Sequence, residues 1–252
     1  MVSLSEVAAG LQPTTKTYLT DSYKKTLLTT LLRFVPETKR SGYLITAETI
    51  MHPKGGAQPS DTGYIEGDGF KARVKKVLEQ GGVVIHFAEL LEGSATEGRT
   101  VRMTLDWGQR YLVMRLHTAG HIIDYAVLQL LGQDLLSSKA YHGPPEGYLE
   151  YIGDSGGLDP SSVERVANEV SQSSRRVYPV VVPREELKGF IKGAPNITRL
   201  PEIDYYRVIV IEGINAIPCG GTHVSNTSEV GKIRVNRIEG VENGFRVVYS
   251  VE

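Results

Sequence analysis

Cysteine is almost absent from this chain, whose 252 residues include only Cys219. A single cysteine excludes an internal disulfide and leaves the thiol free for a metal, as is typical of proteins in the reducing cytoplasm. The sequence also lacks a long apolar run and a charged-then-apolar leader, so we expect no membrane span and no signal peptide. The formal net charge of −1 excludes wholesale coating of nucleic acid, and any RNA contact must come from local basic patches.

Length and composition predict one large domain or two modest ones, with 40% hydrophobic and 23% charged residues. Residues 16–105 are mainly strand-like and are broken by Gly pairs such as 81–82, which predicts a small β-barrel. The stretch 20–33 is compatible with either a helix or a strand. We place the domain boundary at 105/106, which gives an N-terminal domain of residues 1–105 and a second domain of residues 106–252.

The second domain is predicted to be α+β, with helices packed on an antiparallel sheet. Apolar residues recur at helical intervals over 107–131, and a second helix is expected to begin after Asp159, with Pro160 in its first turn. We predict a Gly- and Pro-rich loop over 137–157. The predicted strands cover 178–182 and 205–211, followed by a hairpin whose turn contains Asn243-Gly244.

Two pairs of metal-ligating residues stand out at a spacing of four: His117 with His121, and Cys219 with His223. Residues four apart on a helix project from one face, so the two histidines can share an ion. A CysHis3 set is one that Zn²⁺ accepts, and we expect one Zn²⁺ per chain. Thr118 stands where a zincin protease carries its catalytic Glu, which excludes that protease mechanism.

The chemistry of such an ion depends on its coordination. Zn²⁺ held by one thiolate and neutral imidazoles keeps about one positive charge, which acidifies a bound water molecule or orients a carbonyl or amine. Four protein ligands describe a closed structural site, whereas catalysis needs an open position. Either one ligand stands back or the ion becomes five-coordinate. The sequence does not identify a protein side chain as the catalytic group.

Four stretches carry a family resemblance. WGQRYLVMRLHTAGHII and IPCGGTHVSNTSEVG resemble the signatures of the alanyl-tRNA synthetase editing domain and its free-standing AlaX relatives. HPKGGAQPSDTG at 52–63 is similar to the glycine motif of the preceding domain, and the residues at 20–23 are similar to the start of that family. The resemblance covers about residues 17–252 and is weakest between 137 and 200.

The resemblance implies a two-domain editing protein: a translation-factor-like barrel followed by a zinc-containing hydrolase domain. It implies cleavage of the aminoacyl ester of mischarged alanine tRNA, with serine as the first choice of amino acid and glycine as the second. We expect a free-standing protein, because no aminoacylation module could fit before residue 106. We also expect a cytoplasmic location and favour a monomer, although the sequence does not give the oligomeric state. The substrate-binding residues that it implies are Gly55, Gly56, Gln58, Asp61, Gly220, Gly221 and Thr222.

Each of these residues also has a structural interpretation. Gly55 and Gly56 form a barrel turn or bring the backbone close to the tRNA 3′ end. Polarity alone favours a solvated surface for Gln58 and Asp61. Thr222 either donates a hydrogen bond to the ester or caps its turn.

Gly220 and Gly221 are expected to let a substrate approach the metal closely. A Gly221→Val variant should therefore keep its zinc and lose at least about tenfold in cleavage.

The remaining candidates are weaker. Alternation places Lys71, Arg73 and Lys75 on one strand face, next to Lys76; this face lies along RNA phosphates or, as is more common, is only solvated. His52, His86 and His142 are not expected to be ligands. Two other classes of protein are compatible with the residues: a metal-dependent hydrolase of small esters or amides, and a tRNA-binding module with a structural zinc.

Overall fold

The computed structural model describes residues 2–132, 135–194, 197 and 200–252. The chain divides into two compact units, one formed by Met1–Gly55 and Pro59–Arg110 and the other by Gly56–Gln58 and Tyr111–Glu252. Each unit has its own core. The functional division at 105/106 stays a prediction. None of the described helices is long and apolar enough to cross a membrane.

The first unit is a closed barrel, as the sequence predicted. In chain order its elements are α1 (Leu4–Ala8), β1 (Thr15–Lys16), β2 (Thr26–Thr38), β3 (Ser41–Thr46), β4 (Glu48–Thr49), β5 (Gly63–Gly67), β6 (Phe70–Gln80), β7 (Val83–Gly93) and β8 (Thr100–Leu105). The barrel strands follow one another in the order β2, β3, β7, β6, β5 and β8.

Alternation of exposed and buried residues explains why the ambiguous stretch at 20–33 becomes a strand. Leu27 and Leu31 on β2 are buried, whereas Leu28 between them is 60% exposed, which is the period of two of a half-buried strand. Gly81 and Gly82 both have positive φ and form the turn between β6 and β7, as their spacing predicted.

The second unit is α+β, in agreement with the predicted class. Its elements are α2 (Trp107–Leu131, from Tyr111 onward), β9 (Leu136–Tyr141), β10 (Gly147–Ile152), α3 (Pro160–Gln172), β11 (Val177–Pro183), α4 (Arg184–Phe190), β12 (Tyr205–Ile211), β13 (Asn215–Pro218), β14 (Ile233–Val241) and β15 (Gly244–Val251). They form two antiparallel sheets, one in the order β14, β15, β10, β9 and the other in the order β11, β12, β13.

Side-chain hydrogen bonds hold α3 on the edge strand β14. Asp159 caps α3 by accepting from the backbone N–H groups of Ser161 and Ser162, as predicted. Asn168 donates to the carbonyl of Ile233 and accepts from its N–H, both on β14. The edge of the larger sheet is therefore covered by a helix.

The predicted loop over 137–157 is wrong. Strands β9 and β10 occupy most of it and pair antiparallel with each other, and β10 also pairs with β15. The loop was predicted partly from Gly147, which instead lies inside β10. A Cβ at this position would lie 2.5 Å from Cζ of Tyr249. A tertiary contact, and not a turn, requires this glycine.

Candidate metal centre and its cavity

Helix α2 supplies two of the four predicted metal ligands. His117 and His121 are both buried, and their ring centroids lie 5.4 Å apart on one face of the helix. The other two ligands follow β13, where the chain leaves the smaller sheet.

Arg207 on β12 fixes that turn, since its guanidinium donates to the carbonyl oxygens of Cys219 at 2.7 Å and Gly221 at 3.0 Å. The N–H of Cys219 in turn donates to the carbonyl of Arg207. The smaller sheet thus sets the position of Cys219.

The structure brings the four predicted ligands together. Their candidate donor atoms all lie within 4.8 Å of one another. Cys219 Sγ lies 3.4 Å from Nε2 of His117 and 3.4 Å from Nε2 of His223. One sulfur and three imidazoles at this spacing form a group that could hold a metal ion.

Gln58 orients the first ligand. Its Oε1 accepts from His117 Nδ1 at 2.8 Å and from the Thr222 N–H at 3.0 Å, and its Nε2 donates to Thr222 Oγ1 at 3.0 Å. Because an amide oxygen only accepts, Nδ1 of His117 carries the proton and Nε2 keeps its lone pair for a metal. The expectation of a solvated Gln58 is wrong, since the residue is 2% exposed.

Thr118 orients a second ligand in the same way. Its hydroxyl donates to the carbonyl of Met114 at 2.9 Å and therefore accepts from His223 Nδ1 at 3.1 Å. His223 Nε2 is thereby left with its lone pair beside the Cys219 sulfur. The residue that replaces the zincin glutamate thus supports a metal ligand.

His121 carries a buried nitrogen that the protein does not satisfy. Within the described part of the chain its Nδ1 has no hydrogen-bond partner, while its backbone carbonyl accepts from Asn215 Nδ2 at 2.8 Å. A buried polar atom without a hydrogen-bond partner costs free energy. A metal ion bound at this cluster would explain the unpaired nitrogen of His121.

Burial also sets the protonation of the ligands. It lowers the pKa of His121 to about 3, with the positive charge of Arg207 as a smaller cause, so the ring is neutral at pH 7. Burial raises the pKa of the Cys219 thiol. A bound cation opposes this second effect by stabilising the thiolate. The donor set therefore fits a divalent metal.

The two glycines of the turn differ. A Cβ at Gly221 would lie 2.5 Å from His117 Nδ1 and 2.7 Å from Gln58 Oε1, whereas a Cβ at the exposed Gly220 meets nothing within 4 Å. The expectation that Gly221→Val leaves the metal undisturbed therefore conflicts with the structure, because its side chain would displace a ligand. Gly220 is the glycine that has free space in front of it.

A cavity of about 660 Å³ opens beside the donor group, a size typical of small-molecule sites. Gly56 and Ala57 line it from the glycine motif, and both have positive φ. The Ala57 carbonyl accepts from the N–H of His142 at 2.8 Å, which ties the motif to the cavity wall. Positive φ in a residue other than glycine costs about 1–3 kcal/mol and is concentrated at functional sites.

The other predicted substrate-binding residues lie elsewhere. Gly55, in the first unit, is exposed, with nothing within 4 Å of a Cβ built on it. Thr222 is fully buried and is bonded to Gln58.

Asp61 is buried in the first unit, which contradicts its expected solvated position. Its carboxylate accepts from Arg110 and from the His52 N–H. The roles of these three residues toward a substrate stay predictions.

Sequence reasoning overlooked His142 as a cavity residue. Its ring stacks on His117 with centroids 4.3 Å apart, and its Nδ1 lies 2.6 Å from Tyr249 Oη. Because the Tyr249 hydroxyl donates to the Leu116 carbonyl, His142 Nδ1 donates to it and Nε2 is left as an acceptor. Burial, with a smaller contribution from His121, lowers the pKa of His142 to about 3.

A sequence signal for His142 existed in Gly120. Glycine within a helix is unfavourable and needs a reason. The reason here is space, since a Cβ at Gly120 would lie 2.5 Å from His142 Cε1. Among the described residues, His52, His86 and His142 lie outside the group of four donors.

The basic residues of β6 are on the surface of the first unit. Lys71 Nζ lies 3.6 Å from Glu66, and Lys75 Nζ lies 3.0 Å from Glu89. Neighbouring acids thus offset part of the charge of this face. Its role as a phosphate contact stays a prediction.

Comparison with known proteins defines the class of this chain. Residues 11–109 match the family model described as tRNA synthetases class II (A), and residues 206–249 match the threonyl and alanyl tRNA synthetase second additional domain. The second match includes Cys219 and His223.

The individual proteins that are similar to this chain are alanine–tRNA ligases. Alanine–tRNA ligases of Pyrobaculum calidifontis and Metallosphaera sedula are each 30% identical to this chain, over 97% and 93% of its length. The chain spans only about a quarter of these relatives, 27% and 26% of their lengths. Together with the two family matches, these identities support a relationship of the chain to the alanyl-tRNA synthetase editing-domain family.

Proposed function

We propose that this protein is an aminoacyl-tRNA deacylase that hydrolyses the ester of mischarged alanine tRNA, with serine as the preferred amino acid and glycine as the second. In this reaction water adds to the ester carbonyl carbon and the bond to the ribose oxygen breaks, which releases the amino acid and the terminal hydroxyl of the tRNA. The observation that carries the proposal is a CysHis3 group facing a cavity in a chain related to alanine–tRNA ligases along almost its whole length.

Zn²⁺ is the metal that we propose for the four donors. When bound there it supplies Lewis-acid chemistry by withdrawing electron density from a carbonyl group or a water molecule. The protein supplies the geometry: Gln58 and Thr118 hold two imidazoles with their Nε2 lone pairs beside the sulfur. Arg207 holds the turn that carries Cys219.

The cavity residues define the approach of the ester. Gly220 leaves open space next to Cys219, so an acyl group can enter there. Leu149 and Ile217 provide apolar surface on the same cavity, and His142 provides a neutral acceptor. Gly56 has no side chain and presents bare backbone at the cavity, which suits the close approach of a terminal nucleotide.

A second candidate function follows from the four donors themselves. Four protein ligands within 4.8 Å also suit a closed structural zinc, in which case the chain only binds tRNA. Hydrolysis of small esters is the third possibility.

Serine-charged alanine tRNA and a simple serine ester, each assayed with and without chelator, separate these candidates. The deacylase proposal expects chelator-sensitive cleavage with a strong preference for the tRNA. Comparable efficiency on the simple ester would favour a small-ester hydrolase, and no cleavage by the zinc-loaded protein would reject the deacylase.

A Gly220→Val variant tests whether the cavity next to Cys219 is the reaction site. We expect normal zinc content and a kcat/KM at least about tenfold lower, which corresponds to about 1.4 kcal/mol. Gly240→Val is the matched control, because Gly240 is an exposed position on β14 where a Cβ likewise meets nothing within 4 Å. Full activity of a zinc-loaded Gly220→Val protein would show that the substrate does not pass this turn.

A further inference from the structure

Asp124 places a carboxyl group in the cavity of the metal centre. It lies one helical turn beyond His121 on α2, is 7% exposed, and lines the same cavity as His121 and Cys219. It is the one acidic residue among the described residues that line this cavity. Asp124 is not one of the four donors of the candidate metal centre.

Among the described residues, the other two buried acids show what Asp124 lacks. Asp61 is paired with Arg110, and Glu150 is paired with Arg246. Asp124 has no Lys or Arg partner within the described part of the chain. Its Oδ1 accepts a hydrogen bond from Tyr151 Oη at 2.5 Å. Its Oδ2 has no partner there.

Such a group weakens the fold. A buried carboxylate without an opposite charge costs free energy, so such groups are usually paired with a basic side chain or with a bound cation. Burial raises the pKa of Asp124 to about 7, against a smaller opposite effect of the Tyr151 hydrogen bond. A cation that enters the cavity would stabilise the carboxylate form and lower this pKa.

The remaining cavity residues restrict the kind of cation. Lys139 does not fill the role, because its side chain is 70% exposed and its Nζ lies 3.6 Å from Glu150. His142 stays neutral because burial depresses its pKa. A primary ammonium carries one positive charge and three donors, which suits a single free carboxylate oxygen in a cavity with an apolar side.

We propose that Asp124 binds the α-ammonium group of the aminoacyl ester. The cavity then selects acyl groups that have a free amine, and it discriminates against acyl groups in which the amine is absent or blocked. This inference rests on the proposed function, since the ester is the substrate assigned there, but it concerns binding and is testable without turnover.

Two non-hydrolysable probes differ only at the group in question. One is adenosine with serine linked through a 3′-amide, and the other carries a hydroxyl in place of the α-ammonium. Calorimetry at pH 7 on the zinc-loaded protein should give at least about tenfold tighter binding of the ammonium probe. Asp124→Asn should reduce this preference to less than about threefold, with most of the loss on the ammonium probe.

Asp124→Asn keeps the size of the side chain and an oxygen that accepts from Tyr151. Asp154→Asn, at an exposed acid of the same unit, is the matched control and should leave the preference unchanged. Zinc content and urea unfolding of both variants report on folding. The wild-type preference is decisive even if the Asp124 variant does not fold.

Equal affinity of the wild-type protein for the two probes would overturn the inference, and so would an undiminished preference in folded Asp124→Asn. A clear ammonium preference that depends on Asp124 in a protein that cleaves no aminoacyl-tRNA would support the inference and reject the deacylase proposal. The two ideas therefore fail through different measurements.

Discussion

Replacing Gln58 by alanine removes the side chain that joins the two halves of the metal centre. Three buried hydrogen bonds are lost: one with His117 on α2 and two with Thr222 in the turn after Cys219. The change removes the Gln58 oxygen that accepts from Nδ1–H of His117 and from N–H of Thr222. The His117 ring is then free to rotate or to change tautomer, and either change misplaces its Nε2.

The magnitude follows from these contacts. Each buried donor left unsatisfied costs about 1–3 kcal/mol, and loss of a hydrogen-bond partner behind a metal ligand typically costs about 10–100-fold in metal affinity. We therefore expect the zinc dissociation constant of Gln58→Ala to rise about 10–100-fold, which is about 1.4–2.7 kcal/mol. The four ligands themselves stay in the chain, so binding is weakened and not abolished.

Competition with a chelator of known affinity measures this effect. Gln58→Glu is the rescue variant, because a carboxylate also accepts from His117 and Thr222, and its affinity should stay within about threefold of wild type or improve. Gln129→Ala, at an exposed glutamine on α2, controls for loss of a glutamine as such. Wild-type zinc affinity in Gln58→Ala would refute the bridging role.

Two further predictions concern the turn and the barrel. The zinc dissociation constant of Gly221→Ala should be at least about tenfold higher than that of wild type, whereas that of Gly220→Ala should be unchanged. The reason is that a Cβ at Gly221 meets His117 and a Cβ at Gly220 meets nothing within 4 Å. Equal chelator competition curves for the two variants would contradict this. His86 is fully buried in the barrel, and burial lowers its pKa to about 4. Between pH 6.5 and about 4, the proton therefore binds to the unfolded chain and not to the folded one. Barrel stability is therefore complete above pH 6.5 and should fall by about 2 kcal/mol between pH 7 and 5, a loss that His86→Gln should not show in urea unfolding followed through Trp107.

Local patterns were sufficient for much of this protein. Alternating apolar residues predicted the barrel strands, Asp159 and Pro160 predicted the start of α3, and Asn243-Gly244 predicted the last hairpin. The four candidate metal ligands were also identifiable, because their spacing of four residues within each pair is a local signal. These features depend on neighbours in the sequence, so the sequence by itself determined them.

Only the tertiary structure decided which residues support the metal centre and which line its cavity. Gln58 and Thr222 are 164 positions apart, and no local pattern relates them. Gly147 was interpreted as part of a loop, although a ring from β15 explains it. No local pattern marks Asp124, which in the described part of the chain has no Lys or Arg partner, in contrast to Asp61 and Glu150. Burial and pairing depend on contacts between distant segments, which exist only once the chain has folded.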